Sequence, residues 1–404
     1  MKKYILILTV LTLWCSLFSL RNWESYTNTT RIYDALQIDN EIYLATWGGL
    51  IVYNTAREEF TKIYTKLDGL NDYDITTLDY IEDRNEILIG TRKGGVNRMV
   101  NGEFILALSP DLGLQSPRVN KIINFENKIF VATDKGLSVF AINNDFPFPS
   151  LIGNYHDNNG FANDNIWDMT ILDNDYLILA CDKYITSVHT DSLYLQSAWQ
   201  NFEENFDRAS GITNFGNRVV VSTDRGLYQQ DYFDINNDWV DLSFNSLSDT
   251  IAFKSVYLES ENELWASYGK WEDDQFFISN QVDIAVSKVN LTNLDYQDLS
   301  KDDFSKSLTY SIKKIDDIVT FLSWGEGFFQ NFQGDLLQYK SNSISSNLIT
   351  KMNVDKNSKL WICDGAISGS QSSVGMRGIS QYDGTEWHNF NVDNSDILSN
   401  NIFS

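Results

Sequence analysis

The chain has 404 residues, of which 43% are hydrophobic and 14% aromatic, and this apolar content excludes a disordered protein. Its 55 acidic and 31 basic side chains give a formal net charge of −24, which argues against a nucleic-acid partner because phosphate backbones would be repelled. Three Cys and three His residues are too few for a disulfide framework or a histidine-rich metal centre.

The first 19 residues have the pattern of an export signal. A basic start is followed by an apolar run from Tyr4 to Leu13, and the small residue Ser19 offers a cleavage point. The run is short for a membrane span, and an uncleaved anchor is the alternative. We predict a signal peptide over residues 1–19 and an exported mature chain without a membrane span, in the periplasm or at the cell surface.

Residues 20–404 contain one pattern that recurs eight times. Each copy has an apolar strand, a small Thr, Ser or Cys, a short turn that often contains Gly, and a second apolar strand, as in Ile129-Phe-Val-Ala-Thr-Asp-Lys-Gly-Leu137. The small polar position falls at residues 46, 91, 133, 181, 223, 267, 323 and 363, a spacing of about 45 residues. A repeat of this length with several strands is typical of a β-propeller.

Each repeat unit can be completed to four short strands. An inner strand such as residues 75–81 precedes the pattern, and an outer strand such as residues 387–390 follows it. In the Thr-Asp-x-Gly turn, we expect Asp to accept hydrogen bonds from nearby backbone N–H groups and Gly to take the positive φ of a tight hairpin. The sequence therefore predicts an all-β fold, a β-propeller of four-stranded antiparallel blades with almost no helix.

The number of blades in the ring stays open. Residues 22–26 resemble an outer strand that could complete a ring, and residues 394–402 resemble the approach to another inner strand. Either eight blades close the ring, or seven close it and the eighth unit begins a second propeller. The abrupt end favours a chain cut short of its natural C-terminus.

Two cysteines share the small polar position of the repeat. Cys181 and Cys363 lie four units apart, which places them too far apart around a ring for a disulfide. We predict that both are small buried residues.

Candidate ligand-binding residues follow the small polar position, where the turn between the second and third strands of each unit begins. In a propeller these turns share one face with the loops between blades, and that face carries the ligand site around the channel. Mixed aromatic and acidic residues suit a glycan; turn capping by Asp and packing of Trp between blades are the alternatives. The candidates are Trp47, Arg92, Asp134, Asp182, Asp224, Tyr268 and Trp324, with Trp271 and Phe276 from a long insertion in unit six. Unit eight has a second insertion at residues 365–375.

No catalytic or metal-binding pattern stands out in the sequence. His156, His189 and His388 fall in different units without metal-ligand spacing, and no nucleophile elbow, phosphate loop or dinucleotide motif occurs. We predict that the protein is not an enzyme and needs neither cofactor nor metal. A carbohydrate-active lyase or glycosidase is the minor alternative.

The repeat resembles the two-component regulator propeller family. The residues that carry this resemblance are Asp68-Gly69-Leu70, residues 74–78, Ile87-Leu-Ile-Gly-Thr91 and Lys93-Gly94-Gly95. The repeats are also similar to the N-terminal propeller of PorZ-type components of type IX secretion. Both resemblances imply binding of a glycan, peptide or protein partner without catalysis, as the sensor part of a regulator or, alternatively, as part of a surface secretion assembly.

Overall fold

The structure is a computed structural model that describes residues 23–143, 148–160, 162–231, 238–242, 252–272, 275–277, 284–300, 308–332, 334–364 and 377–402. The predicted signal peptide lies outside these residues. The described chain forms 33 strands and no α-helix, which confirms the all-β expectation. Its only helical elements are six single 3₁₀ turns at Lys66–Asp68, Glu82–Arg84, Pro110–Leu112, Asp157–Asn159, Thr190–Ser192 and Gln196–Ala198.

The strands form eight antiparallel sheets, in each of which four strands follow one another in chain order. The first four sheets contain β1 (Ile32–Ile38), β2 (Glu41–Thr46), β3 (Gly49–Asn54), β4 (Glu59–Tyr64), β5 (Ile75–Ile81), β6 (Glu86–Thr91), β7 (Val96–Val100), β8 (Glu103–Leu108), β9 (Val119–Phe125), β10 (Lys128–Thr133), β11 (Gly136–Ala141), β12 (Ser150–Tyr155), β13 (Ile166–Ile171), β14 (Tyr176–Cys181), β15 (Tyr184–His189) and β16 (Gln200–Glu203).

The last four sheets contain β17 (Ala209–Phe215), β18 (Arg218–Thr223), β19 (Leu227–Asp231), β20 (Val240–Asp241), β21 (Ala252–Leu258), β22 (Glu263–Glu272), β23 (Gln275–Phe277), β24 (Ile284–Asn290), β25 (Tyr296–Ser300), β26 (Thr309–Ile315), β27 (Ile318–Ser323), β28 (Phe328–Phe332), β29 (Asp335–Tyr339), β30 (Lys351–Val354), β31 (Leu360–Asp364), β32 (Gly378–Tyr382) and β33 (Trp387–Phe390). The short strand β23 pairs only with β22, so the sixth sheet has a fifth strand.

Seven of the sheets close a ring. The inner strands contact one another in the order β1, β5, β9, β13, β17, β21 and β26, and β26 packs back against β1. Seven hydrophobic clusters fill the seven seams between neighbouring sheets, and the last joins Ile315, Leu322 and Phe328 to Ile32 and Leu44. The open choice between seven and eight blades is thereby resolved as a seven-bladed ring.

Polar side chains near the channel tie neighbouring blades together. Asp34 Oδ2 accepts a hydrogen bond from the backbone N–H of Leu78 in the next blade (2.9 Å), and Asp168 Oδ2 accepts one from Ile212 (3.1 Å). Across the last seam, Lys313 of the seventh blade forms an ion pair with Asp34. Burial alone would raise the pKa of Asp34, but the ammonium groups of Lys313 and Lys121 outweigh it and hold the pKa below its usual value.

The tight turn of the repeat depends on the small polar residue. In the third blade, the hydroxyl of Thr133 donates to the carbonyl of Gly136 (2.7 Å) and accepts from the backbone N–H of Lys135 (3.1 Å). The Thr hydroxyl thus caps the turn, where we had expected the following Asp to do so. Gly136 has a φ of 119°, and a Cβ there would lie 2.2 Å from the carbonyl oxygen of Tyr155.

The eighth sheet lies outside the ring. All four residues of its inner strand β30 are exposed, whereas the first four residues of β1 are buried. In the described residues its own small cluster contains Ile344, Ile362 and Trp387 and contributes to none of the seven seams. Cys181, in the ring, is buried as predicted, but Cys363, in the eighth sheet, is only half-buried; both thiols are free.

The N-terminal segment forms no outer strand, contrary to the expectation for residues 22–26. Residues 23–29 run between the ring and the eighth sheet, and the ring of Tyr26 packs against Tyr382 at 5.0 Å. The side chain of Asn28 is buried and donates to the carbonyls of Ile344 and Ser345. The seventh blade has all four strands of its own, so the ring closes by packing between complete blades.

Among the described residues, no helix is long and apolar enough to cross a membrane.

Candidate functional site at the channel mouth

Every inner strand of the ring has a β-bulge at the same place. The second strand pairs with the residues on either side of one inner-strand residue and skips that residue. A bulge leaves its extra residue unpaired and re-aims its side chain, and bulges are frequent beside functional sites. The bulged residues are Tyr33, Thr76, Asn120, Trp167, Ser210, Lys254 and Tyr310.

These seven residues, together with the residue after each of them, line the central channel. The cavity inside it has a volume of about 80 Å³. Ligand pockets for small molecules usually have volumes of about 300–1,000 Å³. A ligand of the channel that is larger than a few water molecules therefore lies at its mouth.

Five of the residues predicted from the sequence lie beside the starts of inner strands at this mouth. The backbone N–H of Trp47 donates to the carbonyl of Arg31 (3.1 Å), and that of Trp324 donates to the carbonyl of Leu308 (2.8 Å). The same bond joins Arg92 to Asp74 (2.9 Å), Asp182 to Asn165 (3.3 Å) and Asp224 to Arg208 (3.0 Å). The structure thus places the turns after β2, β6, β14, β18 and β27 on the face where the inner strands begin.

The two tryptophans belong to a cluster of rings around one buried cation. The guanidinium of Arg31 lies 4.3 Å from the ring centroid of Trp47 and 5.7 Å from that of Trp324. Tyr310 contacts Trp324 edge-on at 5.7 Å and Tyr33 at 4.9 Å. Arg31 is 1% exposed; burial and then the like charge of Arg377 lower its pKa to about 9. The cluster joins the first and seventh blades at the mouth.

Arg92 is fixed by a salt bridge from the same blade. Its Nε lies 2.8 Å from Oδ2 of Asp74, and its guanidinium lies 5.9 Å from the ring of Tyr33. Burial works to lower the pKa of Arg92, but the carboxylate of Asp74 outweighs it and raises the pKa. Burial also raises the pKa of Asp74. Arg92 therefore stays charged beside the aromatic cluster.

Asp182 positions a third tryptophan of the mouth, Trp167. Its carboxylate accepts hydrogen bonds from the indole N–H of Trp167 (2.6 Å), from Asn165 (2.9 Å) and from Arg208 (3.4 Å). The guanidinium of Arg208 lies 4.2 Å from the ring of Trp167, and that of Arg118 lies 5.6 Å from it. Asp182, which we predicted as a ligand contact, thus holds the ring of Trp167 in place.

The remaining acidic candidates differ in their surroundings. Asp224 accepts backbone N–H groups from Asp207 (3.0 Å) and Arg208 (3.1 Å), so it stabilises the loop that leads into the fifth blade. Burial nevertheless raises its pKa. Asp134 is half-buried, and its Oδ1 has no hydrogen-bond partner among the described residues.

Tyr268 does not lie at the mouth, because the repeat in unit six is shifted by one residue relative to our prediction. It pairs with Phe253, as Thr46 pairs with Ile32, and so occupies the small polar position itself. Tyr268 is fully buried, and its hydroxyl donates to Asp298 (3.3 Å) and accepts from Ser287 (3.2 Å). A large side chain fits there because its hydroxyl finds partners in the outer strands.

The insertion of unit six is a hairpin instead of an irregular loop. Trp271 of β22 pairs through its backbone with Phe276 of β23. The side chains of these two candidates, like residues 365–375 of unit eight, lie outside the described part of the chain.

The eighth sheet contacts the edge of the mouth. The side-chain N–H of Asn347, which precedes this sheet, donates to the carbonyl of Trp47 (2.8 Å). A Cβ at Gly325 would lie 3.6 Å from both terminal nitrogens of Arg377. Asp364 is 2% exposed, and burial raises its pKa to about 7. The charged groups at this contact are therefore Arg31, Arg377 and Asp364.

One group of possible metal ligands occurs elsewhere in the described residues. Ligand atoms of His156, Asp157 and Asp164 lie within 4.8 Å of one another. His156 Nδ1 accepts from the N–H of Asn158 (3.4 Å), and Asp164 accepts from the N–H of Asp157 (2.6 Å). These bonds form a surface turn, so the proximity has a structural explanation.

Sequence reasoning missed the bulged residues. Tyr33, Trp167 and Tyr310 lie one position after the first residue of an inner strand, and Lys254 lies two positions after it. The alternation of those strands gives no sign of them. Counting back 13 residues from the predicted small polar position reaches five of the seven, whereas Trp167 and Thr76 lie 14 and 15 residues before it. The ammonium of Lys254, for example, lies 4.4 Å from the ring centroid of Tyr310.

One family model matches part of the chain. Residues 42–200, about two fifths of the chain, match the family model of the PorZ N-terminal β-propeller domain of type IX secretion. A sequence comparison with curated proteins gave no match.

Solved structures with this architecture cover most of the chain at low identity. A computationally designed protein, Ika8, has a TM-score of 0.52 at 12% identity over 84% of this chain and 95% of its own. PorZ, an essential surface component of the type IX secretion system of Porphyromonas gingivalis, has a TM-score of 0.43 at 14% identity over 92% of this chain. The extracellular domain of a putative hybrid two-component system from B. thetaiotaomicron has a TM-score of 0.48 at 14% identity over 95% of this chain.

The chain spans 60% of the PorZ structure and 55% of the two-component structure. Identities of this size carry the fold alone. The ring described above is a β-propeller, and residues 42–200 match the PorZ N-terminal propeller family.

Proposed function

We propose that the protein is an exported, non-enzymatic β-propeller that binds a glycan or a peptide at the channel mouth, as the sensor part of a two-component regulator-like protein. The observation that carries this proposal is the cluster of Trp47, Trp324 and Tyr310 beside Arg92, above a channel of about 80 Å³. Flat rings and a fixed guanidinium outside a narrow channel offer a surface for a sugar ring or a peptide side chain.

The acids of the mouth support binding in preference to catalysis. Glycoside hydrolysis needs two carboxyl groups that face the scissile bond, one of them available as an acid. Asp182 is engaged by three donors, and Asp224 by two backbone N–H groups. These bonds favour a positioning role for both carboxylates.

Glycan- and peptide-array binding tests the proposal. The wild-type chain is compared with Trp47→Ala and Trp324→Ala, and with Trp23→Ala as the matched control, because Trp23 is 79% exposed and belongs to no blade. We expect array binding to fall at least about tenfold in the two mouth variants, because aromatic anchors dominate such contacts. Binding should persist in the Trp23→Ala control. Binding that survives both mouth substitutions in folded protein would contradict the proposal.

A second candidate is a component of a type IX secretion surface assembly. It is favoured by the match of residues 42–200 to the PorZ N-terminal propeller family. In this case the partner is a protein. A silent array together with co-purification of the chain with outer-membrane proteins would support this candidate over the sensor.

A further inference from the structure

A second cavity lies away from the channel, in the seam between the sixth and seventh blades. It has a volume of about 550 Å³. Its walls are formed by strands β22, β24 and β25 on one side and by β28, Gly334 and β29 on the other. This volume falls within the usual range for small-molecule pockets, about 300–1,000 Å³, whereas the channel does not. We call it the seam cleft.

In the sixth seam, leucines occupy two positions that are aromatic in the first seam. By strand register Leu299 occupies the position of Tyr64, and Leu336 occupies that of Phe104. Tyr64 and Phe104 fill the seam between the first two blades, edge to face at 5.7 Å. The smaller pair leaves the outer part of the sixth seam open.

The floor of the cleft is apolar. The indole of Trp265 belongs to the hydrophobic cluster of this seam, with Leu299 and Leu336 packed against the same cluster. The indole N–H of Trp265 is already used, because it donates to Glu259 at 2.9 Å. The C–H surface of a ligand can therefore contact the floor, but the indole N–H is not available to a hydrogen-bond acceptor of the ligand.

The rim of the cleft offers hydrogen-bonding groups without internal partners. The amide of Gln297 and the carboxylate of Asp335 line the cleft, are exposed, and make no hydrogen bond or ion pair with other described residues. Asn331 accepts a hydrogen bond from Gly334 (3.1 Å) through its oxygen, which leaves its amide N–H groups for a ligand. Together these side chains present both donors and acceptors.

The charges of the cleft disfavour an anionic ligand. The ammonium of Lys288 lies 2.9 Å from a carboxylate oxygen of Glu259 and 3.2 Å from one of Glu263. With Asp335 the local balance is three acids against one base. The excess of carboxylates would repel an anion, and the charge of Lys288 is already balanced by Glu259 and Glu263.

We propose that the seam cleft binds a neutral sugar, at the size of a mono- or disaccharide, independently of the channel mouth. Its C–H face rests on the apolar floor, and its hydroxyl groups donate to Asp335 and accept from the amides of Gln297 and Asn331. Neutral polyhydroxylated ligands combine these two kinds of surface, and planar amide and carboxylate side chains match their hydroxyl groups.

The test uses methyl α-mannoside, methyl β-galactoside, maltose and cellobiose as probes, at up to about 50 mM, which covers millimolar Kd values. Saturation-transfer NMR detects binding, and calorimetric titration gives the affinity. The decisive variant is Leu299→Tyr with Leu336→Phe, which restores the aromatic pair of the first seam. Its matched control is Leu337→Phe, on the neighbouring exposed position of the same strand.

We expect at least one probe to bind the wild-type chain and the Leu337→Phe control, and binding to be lost in the filled variant. Gln297→Ala and Asp335→Ala, which change exposed side chains, should weaken it at least about fivefold and serve if the filled variant fails to fold. Trp47→Ala should leave it unchanged, which separates this site from the mouth. No binding by any probe, or unchanged binding in folded filled protein, would overturn the proposal.

Discussion

Closure of the ring between the first and seventh blades can be tested with the Asp34–Lys313 ion pair. The carboxylate of Asp34 is 3% exposed and also accepts hydrogen bonds from Leu78 N–H (2.9 Å) and from the hydroxyl of Thr77 (3.1 Å). Lys313 Nζ also donates to the carbonyl of Ala35 at 3.0 Å. Its side chain comes from the seventh blade, so the pair exists only if that blade lies next to the first.

A double-mutant cycle of Asp34→Asn and Lys313→Met isolates the coupling energy of the pair. Breaking a fully buried pair costs about 3–5 kcal/mol, and an exposed pair contributes at most about 1 kcal/mol. The side chain of Lys313 is 29% exposed and that of Asp34 is 4% exposed. We therefore expect a coupling energy of about 2 kcal/mol in the free energy of unfolding, measured by urea titration of the four proteins at pH 7.

The pH dependence gives an independent check. Because the pKa of Asp34 is lowered in the folded ring, its contribution to stability is present above the unfolded pKa and is lost as pH falls through the folded value. Lys313→Met should move this loss to higher pH, since burial then acts with less opposition. A coupling energy below about 0.3 kcal/mol would indicate that the residues do not meet, and would refute the seven-bladed closure.

Three further predictions concern stability. Arg98→Met should cost about 3–5 kcal/mol in urea unfolding, because the guanidinium forms a bidentate pair with Glu86 and both side chains are at most 1% exposed. Adding Glu86→Leu should recover only part of the loss, because Glu86 also pairs with Arg84 at 3.3 Å. Gly49→Ala should lower the urea midpoint of unfolding far more than Gly384→Ala does. Both glycines have a positive φ, but only at Gly49 would a Cβ lie 2.3 Å from a carbonyl oxygen. Equal effects of the two substitutions would contradict this contact. Since burial raises the pKa of Asp364 to about 7, the eighth sheet should lose stability as pH rises from about 4 to 7. Hydrogen exchange of residues 351–364, corrected for intrinsic rates, measures this loss, and Asp364→Asn should make it smaller.

The fold was predictable because its signals are local and repeated. The Thr, Asp and Gly positions of the turn after β10 recur along the chain, and a period of about 45 residues is enough to indicate blades. The number of blades in the ring was not predictable, because it depends on whether Phe328 packs against β1 or against a later sheet. Such contacts join residues almost 300 positions apart, and no local pattern encodes them.

The candidate site was predictable only in part. Residues at the start of a turn, such as Trp47 and Trp324, follow from the repeat, and the structure brings them to one cluster. Tyr268 was misplaced because an aromatic residue occupies the position of a small one, so the apparent alignment slipped by one residue. Trp167 was missed because the bulge in β13 changes which face of the sheet its side chain takes from the one that strand alternation predicts.

Hydrogen exchange with and without a ligand identified on the array tests the central claim most directly, namely that the mouth of the seven-bladed ring is the binding site. We predict protection confined to the turns after Thr46, Thr91 and Ser323 and to the first residues of the inner strands, since these form the mouth. Protection on the opposite face, at the turns around residues 39–40 and 126–127, with none at the mouth, would contradict the account.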